Sequence, residues 1–96
     1  MREPAVYILA TKPYGTLYVG VTSDLVKRIW QHRNDAVEGF TRQHGVYHLV
    51  HFEQFRSMVE AIEREKELKK WRRAWKIALV EESNPDWRDL WPEISQ

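Results

Sequence analysis

The chain has 96 residues, a net charge of +1, 43% apolar and 30% charged residues, and no cysteine. That length allows one domain with one modest core, and the absence of cysteine excludes disulfides, thiolate metal sites and a cysteine nucleophile. No run approaches the roughly 18 consecutive apolar residues of a membrane span, and the N-terminus lacks a secretion-signal pattern, so the expected compartment is the cytoplasm, with no membrane partner.

The charge is unevenly spread. Residues 1–80 hold 14 Lys/Arg against 9 Asp/Glu, whereas residues 81–96 hold 1 against 5. The densest basic run, residues 64–76, has 7 cations and 2 acids. A basic body with an acidic tail suits a phosphate-backbone partner. A solvated helix face followed by an acidic end accounts for the same counts.

Residues 6–10 and 17–21 are rich in β-branched and aromatic side chains, with the turn signals Pro13 and Gly15 between them. This predicts an antiparallel hairpin. Each strand carries a tyrosine, Tyr7 and Tyr18. A phenol beside a cation ionises more easily and can orient or deprotonate a water, though strands also take tyrosine for packing alone. Gly20 lets a phosphate approach the backbone, or marks a bulge or strand end.

Thr22, Ser23 or Asp24 caps a helix predicted over residues 25–33. Its apolar stripe reads Leu25, Val26 and Ile29, with Arg28 and His32 side by side at the flank. A guanidinium next to an imidazole makes a phosphate clamp with a proton carrier. As an ordinary surface pair the two would only solvate the helix. Residues 34–45 are polar with two glycines and read as a loop. Residues 46–52 alternate as a third strand, with Val46, His48 and Val50 on one face and Tyr47, Leu49 and His51 on the other.

Ser57 and Glu60 form a capping box that starts a helix running to about Lys70. On its wheel Met58, Ala61, Ile62 and Leu68 fill an arc about 120° wide, and Glu65 sits in the middle of it. A carboxylate among apolar neighbours is costly unless paired, protonated or metal-bound. A salt bridge to Arg28 or Lys69, or a helix-edge position, would also relieve it. Residues 71–82 continue helical after a bend, and Asn84-Pro85 stops them. The end, with Trp87, Leu90 and Trp91, carries enough apolar bulk to fold back on the body. Trp71 and Trp75 interleave with Lys69, Lys70, Arg72, Arg73 and Lys76, a pattern that can stack nucleobases, although tryptophans at helical spacing more often fill a core. His44, His48 and His51 show no zinc-ligand spacing. The pattern as a whole is β-β-α-β-α-α, an α+β domain with a three-stranded antiparallel sheet flanked by helices.

In this order the pieces resemble the GIY-YIG nuclease superfamily, and specifically its small stand-alone bacterial members. Ala5-Val6-Tyr7 stands where the family has Gly-Ile-Tyr, and Tyr18-Val19-Gly20 where it has Tyr-Ile-Gly. The likeness runs from Val6 to about Trp91 and is strongest over residues 15–32, with further familiar pieces at 39–41, 49–53 and 61–69. The first motif lacks its glycine, and a chain of 96 residues is expected to hold no second domain that selects a substrate.

The resemblance implies a DNA endonuclease that hydrolyses phosphodiesters with one divalent metal, Mg²⁺ or Mn²⁺, in a structure-specific role in repair or recombination. It assigns catalytic roles to Tyr7, Tyr18, Arg28, His32 and Glu65, with Glu65 as the metal ligand. The family's late asparagine has Asn84 as its candidate. Residues 1–96 would be one domain, with a catalytic core over about 5–82 and a packed acidic tail over 83–96. Lys27, Arg42, Lys69, Lys70, Arg72 and Arg73 are the expected nucleic-acid contacts, and a protein partner could supply targeting. The alternatives are a non-catalytic nucleic-acid-binding module on the same fold, and a protein-interaction domain using the tail.

Overall fold

A computed structural model of the chain describes residues 3–34, 45 and 48–96. Three antiparallel strands, β1 (Ala5–Ala10), β2 (Leu17–Thr22) and β3 (His48–Gln54), form a sheet in the order β2-β1-β3. Helix α1 (Leu25–Arg33) follows the hairpin; α2 (Met58–Lys70), α3 (Arg73–Ser83) and a one-turn α4 (Trp91–Ile94) follow β3. Among the described residues no helix is long and apolar enough to cross a membrane.

The α+β class and the three-stranded antiparallel sheet are those the pattern predicts. Local signals explain the helix boundaries. Asp24 caps α1, its side chain accepting from the Lys27 N–H, and Ser57 caps α2 by accepting from Glu60 N–H. The bend between α2 and α3 is two extended residues, Trp71 and Arg72. The one-turn α4 is an addition to the predicted order. It forms because Asp89 accepts from the Trp91 N–H just ahead of Pro92, a residue suited to a first turn.

Every residue of β1 is buried, so the central strand has a core on each side. Val6, Ile8 and Ala10 meet Ala61 and Leu68 of α2, Val80 of α3 and Trp87. Ala5, Tyr7 and Leu9 meet Leu25 and Ile29 of α1, together with Leu90 and Trp91. Period-two alternation in one strand thus divides the molecule into two layers.

Strand β3 departs from simple alternation. Ile8 pairs with His51 but Leu9 pairs with Leu49, leaving Val50 as an extra residue in a bulge. The predicted split of Val50 and His51 onto opposite faces is therefore incorrect: Val50 joins the α2 core, and His51 stands opposite Ile8 on that same side. Of the predicted strand, Val46 and Tyr47 lie outside the described residues, and β3 extends to Gln54.

The two sheet edges differ. At β3 the tail supplies partners: Leu49 N–H donates to Asp89, and Leu90 N–H donates to the Leu49 carbonyl. Asp89 also pairs with Arg33 of α1 at 2.6 Å. Strand β2 forms the opposite edge, next to the tyrosine cluster.

Candidate active site

The site forms at the β2 end of the sheet. Tyr7 lies on the α1 face of β1, and its cross-strand partner on β2 is Gly20. Tyr18, two residues earlier on β2, shares that face, and the two phenol rings are 6.3 Å apart between centroids. Gly20 makes room for the Tyr7 ring, a use different from either predicted one.

Helix α1 supplies the next two groups. Its buried stripe is Leu25, Ile29 and His32, at i, i+4 and i+7, while Val26 is exposed. This corrects the predicted stripe, and it moves His32 from the flank into the interior. Once there, the imidazole meets both tyrosines: its Nε2 is 3.0 Å from the Tyr7 hydroxyl, and its ring is 5.7 Å from that of Tyr18. Arg28, one turn earlier, reaches Gln31 at 3.4 Å and hydrogen-bonds the Tyr7 phenol.

Glu65 comes from α2 on the other side of the sheet. It lies on the buried face between Ala61 and Leu68, where the wheel placed it, and its side chain is 16% exposed. Its negative charge is the smallest of the influences that raise the Tyr7 phenol. Lys69, one turn on, pairs with Glu65 Oε2 at 3.0 Å, realising one of the ion pairs open to it from sequence.

The electrostatics set the resting protonation. Burial pushes Tyr7 up to about 12, against the hydrogen bond from Arg28, with Tyr18 and Glu65 adding to the rise. Burial, then the neighbouring Arg28 charge, hold His32 down at about 4. At neutral pH the pair is a neutral phenol and a neutral imidazole. A guanidinium can only donate, so the phenol oxygen accepts from Arg28, and its own proton is available to His32.

Among the described residues no group of three His, Cys, Asp or Glu side chains gathers as a metal cage. One carboxylate, Glu65, would hold a magnesium-like ion, a hard cation that needs few protein oxygens. The Lys69 ammonium against Glu65 shows that this oxygen already accepts a cation.

Over residues 3–78 the chain matches the GIY-YIG catalytic domain. It belongs to the GIY-YIG family. A UPF0213 protein of Staphylococcus saprophyticus is 36% identical over 85% of this chain and 99% of its own length. Another, of Clostridium perfringens, is 43% identical over 78% of this chain and 80% of its own. The solution NMR structure of a UPF0213 protein from Bacillus halodurans matches with a TM-score of 0.58 at 33% identity, covering 91% of this chain and 92% of that one. GIY-YIG membership implies nuclease activity, a hydrolytic chemistry, and suggests DNA as the substrate.

The expected nucleic-acid contacts fall into different settings. Lys27 lines a polar cavity of about 500 Å³ with Thr22, Ser23, Asp24, Arg28 and Gln31, beside the GIY-YIG site. Arg73 donates to the Tyr14 and Gly15 carbonyls, 2.6 Å each, and so holds the hairpin loop. Arg72 lies over Trp75, and Lys70 is exposed at the end of α2. Arg42 and the 39–41 piece lie outside the described residues. The expectation that the tryptophans are core holds for Trp87, whereas Trp30 and Trp75 are 53% and 52% exposed. Guanidinium stacking replaces core packing at Trp75.

Sequence reasoning missed a second polar network, outside the GIY-YIG cluster. His51 Nε2 is 2.8 Å from Glu53, and Arg64 Nε donates to the same carboxylate at 2.8 Å. These contacts hold Glu53 down at about 2, the His51 hydrogen bond first. Period-two spacing of a histidine and a glutamate opposite an α2 arginine was the available signal.

Proposed function

We propose that the protein is a divalent-metal-dependent DNA endonuclease that cuts phosphodiesters at the Tyr7–Tyr18–Arg28–His32–Glu65 cluster. The observation that carries this reading is the Tyr7 phenol held between a guanidinium donor and a neutral imidazole 3.0 Å away. Such a phenol can pass its proton to His32 while taking one from an attacking water, a two-step relay that neither group needs to begin ionised. Arg28 and Tyr18 would grip the scissile phosphate by charge-assisted hydrogen bonds. Glu65 would hold Mg²⁺ or Mn²⁺, which when bound supplies Lewis-acid stabilisation of the charge on the reacting phosphate.

Cleavage of labelled duplex, single-stranded, flap and branched DNA with Mg²⁺ or Mn²⁺ tests the reading. Wild type should cut, and Glu65→Ala and Tyr7→Phe should each lose at least about a hundredfold while remaining folded. Substrate preference across the panel would name the structure cut and show whether repair or recombination substrates are favoured. A folded wild type that binds DNA and cuts none of these would favour the non-catalytic module.

A further inference from the structure

Lys69 takes part in two settings at once. Its ammonium is 3.0 Å from Glu65 Oε2. It also lines, with Leu17, Tyr18, Val19 and Lys76, a groove of about 320 Å³ beside the edge strand β2. Tyr18 is thus common to the groove and to the catalytic cluster.

The two members of the ion pair are unequally held. Glu65 is 16% exposed and lies between the buried Ala61 and Leu68, whereas the Lys69 side chain is 52% exposed. A lysine on a flexible four-carbon stem can change partner at little cost; a carboxylate packed against a helix–sheet layer cannot. A divalent cation seeking Glu65 must compete with the ammonium already there. Once displaced, the ammonium remains tethered to α2, next to a groove that already contains a second lysine. The half-buried Leu17 presents apolar surface suited to a sugar, and the two lysines present charge suited to a phosphate.

We propose that Lys69 is a two-position residue: it neutralises Glu65 in the metal-free protein, and metal binding releases it into the groove, where with Lys76 it holds the nucleic-acid phosphate next to the scissile one. The proposal deepens the nuclease reading and rests on Glu65 as metal ligand. It makes Lys69 a positioning residue that couples metal loading to capture of the strand. Lys76 contacts the strand whether or not metal is present.

The test uses Lys69→Met and Lys76→Met in a Tyr7→Phe background, so that DNA stays whole, with folding checked by thermal melts. Mn²⁺ affinity is read by water-proton relaxation. The salt dependence of affinity for a short labelled single-stranded DNA is read by fluorescence anisotropy, with and without Mn²⁺. Lys69→Met should tighten Mn²⁺ binding roughly two- to fivefold, the range of one exposed ion pair, and Lys76→Met should leave it unchanged. Lys76→Met should reduce the salt slope by about 0.7 in both conditions; Lys69→Met should do so only with Mn²⁺. Unchanged Mn²⁺ affinity in Lys69→Met, or an equal slope loss with and without Mn²⁺, overturns the proposal. Glu65→Gln separates the two levels. If it keeps wild-type Mn²⁺ affinity, the metal-ligand reading falls and this one with it. If it abolishes binding while Lys69→Met changes nothing, only the two-position lysine falls.

Discussion

The Tyr7 ring occupies the space that a side chain at Gly20 would need. A Cβ added to Gly20 would stand 2.4 Å from both Cζ and the hydroxyl oxygen of Tyr7. The glycine of the second motif is therefore the seat of the tyrosine of the first. The ring cannot yield freely, because its hydroxyl is tied to His32 and Arg28. Gly20→Ala should cost about 1–3 kcal/mol through overpacking. Displacing the phenol by an ångström should lower cleavage on the order of a hundredfold. Denaturant melts with single-turnover cleavage check both, and a variant of wild-type stability and rate would refute the seat.

Burying His32 as a neutral ring gives the fold an acid sensitivity of known direction. The folded-state value of about 4 lies below the ordinary 6.5, so between these limits the unfolded chain binds more protons. Stability from this group is complete above about pH 6.5, is lost as pH falls toward 4, and changes no further below that. Glu53, held at about 2 against an ordinary 4.5, adds a second loss only as pH falls below about 4.5. Urea midpoints measured from pH 7.5 to 3 should show the two windows. His32→Gln should flatten the upper one and leave the lower; parallel curves for wild type and variant would contradict the assignment.

The Glu53 network should support the fold and leave the proposed catalytic cluster alone. Its carboxylate accepts from Arg64 at 2.8 and 3.2 Å and contacts the buried His51. Glu53→Ala removes all of these contacts, and Nδ1 of His51 is buried with no partner among the described residues. A loss of about 1–3 kcal/mol is expected, with Mn²⁺ affinity unchanged. Chemical denaturation and metal titration on the same samples check this. A changed metal affinity would tie the network to the nuclease site.

What the sequence reveals and what it hides divide by range. Both strands of the hairpin, the Ser57 cap, a cap within residues 22–24 and the apolar setting of Glu65 are local matters of period and capping, and they are legible. The α1 stripe is not. Val26 is the more apolar residue, yet His32 takes the inward place, because Tyr7 and Tyr18 on the strands opposite offer the imidazole a polar partner. The β3 bulge and the fit of Tyr7 over Gly20 also depend on neighbouring strands, which no single-strand pattern contains. The pairing of Glu65 with Lys69 was one of several possibilities from spacing, and only the packed helix selects it.

Asn84, the candidate for the family's late asparagine, has its side chain committed to backbone. It is buried; its Nδ2 donates to the Val50 carbonyl at 3.1 Å and the Arg88 carbonyl at 2.9 Å, and its Oδ1 accepts from Arg88 N–H at 3.0 Å. These bonds fasten the turn after α3 to β3, beside the Asp89 and Leu90 contacts that close that edge. Asn84→Ala should therefore cost about 2–3 kcal/mol, since it removes three hydrogen bonds, one of them buried. In a domain of this size that lowers the melting temperature by roughly 10–20 °C. Well below the melting point its cleavage rate and Mn²⁺ affinity should match wild type, because the Asn84 bonds go to β3 and the tail. A stable Asn84→Ala protein with lost cleavage would instead place this residue at the chemistry, so the pair of measurements decides its role.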